Sequence, residues 1–93
     1  SHAMVGVALE PVRNGSGARV RSVMPGGPAA RAGVRAGDVV VAAAGQPVAD
    51  PAALIQVVSR HGVGRPLLLE LERDGQRLEV RVTPVELSTL MQR

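Results

Sequence analysis

Few side chains in this sequence could carry out a reaction. The hydroxyl of Ser16 lies in the flexible stretch Asn14-Gly15-Ser16-Gly17; the imidazoles are His2 and His61, and the aspartates are Asp38, Asp50 and Asp74. A serine nucleophile needs a general base and an orienting acid held in fixed geometry. His2 lies among the first four residues, and His61 closes a helical pattern with no acid expected beside it. Asp50 precedes a proline at a helix start and Asp74 precedes Gly75 in a turn, so backbone chemistry explains both. Ser16 reads as a turn residue. Two histidines cannot make a zinc site alone, and there is no cysteine to help them. We therefore expect no catalytic residue, no metal site and no cofactor in this chain.

The other candidate is residues 25–40, PGGPAARAGVRAGDVV, with four glycines and two prolines in sixteen positions. A phosphate-cradling loop and a structural corner beside a ligand groove both use such backbone. The stretch lacks the Gly-Lys-Ser/Thr of a phosphate loop.

The elements that must position anything here form one small domain, since 93 residues are too few for two. Absence of cysteine excludes a disulfide framework. Phe, Tyr and Trp are also absent, so the core must come from Val, Leu, Ile, Ala and Met. All cationic side chains other than the histidines are arginine, and the formal charge is +3. Nucleic acid is not the expected partner. Glu70, Glu72, Arg73, Arg77, Glu79 and Arg81 interleave as a mixed solvated face, and no aromatic is available for base stacking. No apolar run approaches the roughly 20 residues that span a bilayer. Residues 1–4, Ser-His-Ala-Met, read as the remnant of a cleaved purification tag, residues 5–85 as the domain and residues 86–93 as a C-terminal tail.

Residues 5–10 alternate as a strand that Pro11 weakens or ends. Residues 18–24 read as a second strand. Pro28 opens a short helical turn that Gly33 closes. Residues 39–44 form a buried β-branched strand. Asp50 and Pro51 start the main helix, with Leu54, Val57, Val58 and His61 at helical spacing and Gly62 and Gly64 after it. Asp74-Gly75 sets a hairpin in which Leu71 faces Leu78, Leu69 faces Val80 and Leu67 faces Val82.

The run Val23-Met24-Pro25-Gly26-Gly27-Pro28-Ala29-Ala30-Arg31-Ala32-Gly33-Val34-Arg35-Ala36-Gly37-Asp38-Val39-Val40 resembles the PDZ-domain signature V-x-P-x-S-P-A-x-x-A-G-L-x-x-G-D-x-I. Gly27 stands for the usual Ser and Ala36 for the usual Pro. Gly45-Gln46-Pro47-Val48 matches the G-x-x-V that follows, and Leu71 to Gly75 with Val82-Thr83-Pro84 matches the closing hairpin. Val5-Gly6-Val7 resembles the end of the carboxylate-binding loop of HtrA-type (Deg) serine proteases, with Met4 at the aromatic position.

The resemblance implies an α+β, mainly β fold: a small partly open β-barrel or sandwich with one long and one short helix, in the bacterial, circularly permuted strand order. The glycine-rich stretch is then a structural corner, with Asp38 bonding nearby backbone amides. The resemblance further implies that a peptide adds as a strand along residues 7–12 and that the N–H groups of Val5, Gly6 and Val7 hold its terminal carboxylate. Val7, Ala8, Leu9, Pro51, Ile55 and Val58 would line the groove.

The function implied is recognition of exposed hydrophobic C-termini or unfolded segments, in an extracytoplasmic HtrA-like serine endopeptidase of protein quality control in the periplasm or cell envelope. The alternative is a structural interaction module of a site-2 metalloprotease, a tail-specific protease or a secretion-system protein. Expected partners are hydrophobic peptide segments and the parent's own protease domain, with no nucleic acid and no direct membrane insertion. The isolated domain would be monomeric and its parent oligomeric.

Overall fold

The computed structural model describes residues 2–91. Ser1, at the start of the expected tag remnant, and residues 92 and 93, at the end of the expected tail, lie outside the described residues. Along the chain come β1 (Ala3–Met4), β2 (Val7–Pro11), β3 (Ala18–Val23), α1 (Pro28–Arg31), β4 (Val39–Ala43), β5 (Gln46–Pro47), α2 (Pro51–His61), β6 (Leu67–Arg73), β7 (Gln76–Val82), β8 (Val85–Glu86) and α3 (Leu87–Leu90). The main sheet runs β2-β3-β4-β6-β7, all antiparallel and not closed, with β5 pairing back on β4. β1 and β8 form a separate two-stranded sheet.

The closing hairpin shows how directly local chemistry sets register. Asp74 and Gly75 take φ of 52° and 79°. Two positive φ values make a type I′ loop whose twist matches that of the strands. Leu71 pairs with Leu78, Leu69 with Val80 and Leu67 with Val82, as expected. Leu67, Leu69, Leu71 and Val82 are buried, and Leu54 and Val58 of α2 join them with Val20 and Val40 in the same core. Each such side chain contributes roughly 1.5–3 kcal/mol of burial.

The main helix begins where Asp50 accepts the Ala53 N–H at 2.8 Å, with Pro51 at the first helical position. It ends at Gly62, whose φ of 84° suits glycine. His61 belongs to this end: Nε2 lies 2.9 Å from the Arg65 carbonyl, and Arg65 Nη2 donates back to the His61 carbonyl at 2.8 Å.

Three features differ from the expectation. Pro11 remains within β2, where it pairs with Ala18. β2 is an end strand, and a proline whose missing N–H would face the open edge takes nothing from the ladder. Ala3 and Met4, read as part of the remnant, pair with Glu86 and Val85, so β8 spans the expected boundary between domain and tail, and α3 falls within the expected tail. Arg73, placed on the solvated face, turns instead to Asp38.

Candidate functional site

β2 pairs with β3 on one side only, so its other edge is open. Beside that edge, α2 forms a second wall. Between them lies a cavity of about 240 Å³. Val7 and Leu9 line it from β2, and Pro51, Leu54, Ile55 and Val58 from α2. Ala3, Met4, Val5 and Gly6 close one end. No charged side chain lines it. Ile55 is 61% exposed, high for a large aliphatic residue on a helix whose Leu54 and Val58 are buried.

The closed end is set by backbone. Gly6 has φ +77°, a conformation that favours glycine. A Cβ there would lie 3.4 Å from Met24 Cβ and 3.7 Å from Pro28 Cδ, so the corner approaches the loop closely. The loop carbonyls are tied to that corner. Ala29 N–H donates to the Val5 carbonyl and Met24 N–H to the Gly6 carbonyl, each at 2.9 Å. Among the described residues, neither the Val5 nor the Gly6 N–H donates to a backbone carbonyl. Two neighbouring donors without an internal partner, beside an apolar cavity, suit an anionic group with an apolar side chain attached.

The corner itself is held by Asp38, which is 1% exposed. Its Oδ2 accepts the Arg35 N–H at 2.8 Å, the local amide contact expected of it. Arg73 adds a contact that local spacing does not reveal: Nε donates to Oδ1 and Nη2 to Oδ2, both at 2.8 Å. Nη2 also donates to the Gly33 carbonyl at 2.8 Å. Burial pushes the Asp38 carboxyl up. The Arg73 hydrogen bonds, the Arg35 amide and the charges of both arginines outweigh it, and the carboxyl sits below its ordinary value. This acid is structural: it fixes the turn that follows α1, and α1 in turn holds the Val5 carbonyl through the Ala29 N–H.

Of the residues singled out from sequence, Val5, Gly6, Val7, Leu9, Pro51, Ile55 and Val58 surround the one cavity. Ala8 lies elsewhere, beside Ser22, Val23 and Leu87 in a second cleft, because successive side chains of a strand point to opposite faces. Leu54, read from sequence only as part of the helical spacing, is buried and also lines the cavity, and Ala3 and Met4 flank its end. The sequence signal for those two was the position of Met4 directly before Val5-Gly6-Val7.

Comparison with known proteins identifies the family and the fold. A family model described as PDZ domain matches residues 3–83. The chain belongs to the PDZ-domain family. It is 44% identical over 71 residues to the putative serine protease HhoA of Synechocystis sp., covering 76% of this chain and 18% of that protein. It is 42% identical over 66 residues to the periplasmic serine endoprotease DegP of Escherichia coli strain K12, covering 71% of this chain and 14% of DegP. The chain thus spans less than a fifth of the length of these relatives. Among solved structures, the HtrA3 PDZ domain bound to a phage-derived ligand (FGRWV) superposes with a TM-score of 0.78 at 28% identity, over 88% of this chain and 84% of that one. The HtrA-type protease AlgW S227A with decapeptide shares the fold, with a TM-score of 0.84 at 23% identity over 90% of this chain and 29% of that one.

Proposed function

We propose that this domain recognises the C-terminal end of extended hydrophobic peptides. The peptide adds as an antiparallel strand to the open edge of β2, its last side chain enters the cavity, and the N–H groups of Val5, Gly6 and Val7 receive its carboxylate. The observation that carries this reading is the meeting of three features at one place: an open strand edge, an uncharged cavity of about 240 Å³, and unbonded N–H groups of Val5 and Gly6 at its closed end. The HtrA3 PDZ domain, with its bound ligand FGRWV, supports it by likeness.

The parent is an HtrA-like serine endopeptidase of the periplasm or cell envelope, in which this domain presents unfolded or exposed C-termini to the protease domain of the same protein. The names of the relatives support that placement. The isolated domain is monomeric and the parent oligomeric.

The test is a titration with short peptides ending in Val, Leu, Ile or Ala. Binding is expected at micromolar strength, about −8 kcal/mol or weaker. Amidation of the terminus is expected to weaken it more than tenfold, because a charge-assisted contact to backbone amides is lost. Equal affinity for acid and amide would overturn the carboxylate assignment.

A further inference from the structure

We propose that the segment Val85–Met91 is a positioning strap for the carboxylate loop; this rests on the peptide-binding reading above. β1 leads directly into Val5-Gly6-Val7, and its pairing, among the described residues, is to β8 and not to the main sheet. The Leu87 N–H donates to the His2 carbonyl at 2.9 Å, continuing the Ala3–Glu86 and Met4–Val85 register by one residue. α2 packs against β1, so the same short strand touches the opposite wall of the groove. Behind the loop, Leu87, Leu90 and Met91 share a cleft of about 460 Å³ with Met4, Gly6 and Val7.

Gly6 and Val5 are thus held at two levels. Their carbonyls are fixed to the corner, and the chain leading into them is fixed by the strap. None of the buried hydrophobic core residues comes from residues 85–91. The strap therefore adds little to the core, while it sets the aim of the two unbonded N–H groups. Loosening it should cost recognition of the carboxylate more than it costs folding.

The test measures affinity for one hydrophobic peptide as free acid and as amide. The proteins are the wild-type chain, a chain ending at Pro84, Leu87→Pro and Leu87→Ala. Proline suits Leu87 because the position opens a helix and the preceding Glu86 already has φ −63° and ψ 142°, so the change removes the N–H without forcing the backbone. A preference for the acid of more than tenfold in wild type is expected to fall to about threefold or less in the truncated chain and in Leu87→Pro. The amide affinity is expected to stay within about twofold. Leu87→Ala, which keeps the N–H, should retain most of the preference. If the truncated chain does not fold, Leu87→Pro decides. A folded Leu87→Pro with the wild-type acid-to-amide ratio overturns the strap. Equal binding of acid and amide by the wild type overturns the reading on which it rests.

Discussion

Arg73 holds Asp38 by two parallel hydrogen bonds of 2.8 Å, across 35 residues of chain. The pair joins the end of β6 to the corner that carries α1. Burial raises the Asp38 carboxyl, and the Arg73 fork, the Arg35 amide and the two positive charges lower it further than burial raises it. A depressed folded-state value means stability that is present above the unfolded value of 3.8 and lost as pH falls through the folded value. Asp38→Asn is expected to lower Tm at pH 7 on the order of 5–10 °C. The gap to wild type should begin to narrow as pH falls below the unfolded value of 3.8 and go on narrowing as pH falls through the lower folded value, where the native carboxyl takes up its proton. Thermal melts at pH 3, 5 and 7 check this; a gap unchanged across them would remove Asp38 from the acid response.

Ala44 carries a second, opposite lesson. With Gly45 it makes the two-residue turn between β4 and β5, at φ of 51° and 77°. Such a turn prefers Asn-Gly, and a left-handed alanine costs about 1–2 kcal/mol. The Ala44 N–H donates to the Leu68 carbonyl at 2.9 Å, and asparagine would keep that bond. Ala44→Asn is expected to stabilise the domain by about 0.5–1 kcal/mol. A rise in the urea midpoint with unchanged slope is the measurement, and a fall would contradict it.

These two sites mark what the sequence discloses and what it conceals. The β6–β7 register was legible because Asp74-Gly75 admits one loop geometry and the leucines alternate without a break. The long helix was legible from Asp50-Pro51 and the Leu54–Val58 spacing. The Asp38–Arg73 pair was not, because its partners meet only once β6 lies beside β4, and no local spacing records that. β1 and β8 are two residues each, too short for any periodicity, and α3 is a single turn with no buried face. The groove residues were legible by resemblance alone; by periodicity, Val7, Leu9 and Val58 read equally well as core.

Ile55 separates binding from folding. It is 61% exposed, so a polar replacement removes little from the core. It borders the cavity, where a ligand side chain would cover it. Ile55→Ser is expected to shift Tm by no more than about 2–3 °C, as exposed substitutions do. Peptide affinity should fall about five- to tenfold through the lost apolar contact. Calorimetric titration beside a thermal melt reads both, and unchanged affinity would place the ligand elsewhere.

Pro11 bears on how far along the peptide recognition extends. Met24 N–H donates to the Gly6 carbonyl, so Gly6 faces β3, and by alternation so do Ala8 and Glu10. Val7, Leu9 and Pro11 then face the open edge. The register shift between Ala8 and Leu9 is absorbed on β3, where Ser22 and Val20 are paired and Arg21 is passed over, so the parity of β2 is kept. If Val7 receives the carboxylate, Leu9 pairs with the ligand residue two before the end. Pro11 is the next position, and it has no N–H to give. The missing bond is worth roughly 0.5–1.5 kcal/mol, which matters to a micromolar binder. Affinity is expected to saturate at about four ligand residues, with the terminal side chain dominating. A truncation series of one hydrophobic peptide, from three to eight residues, measures it. Pro11→Ala should restore the third rung and gain about two- to tenfold for the longer peptides only. A steady gain of several-fold per residue beyond the fifth in the wild type would show that the ladder runs past Pro11 and that the edge has the other parity.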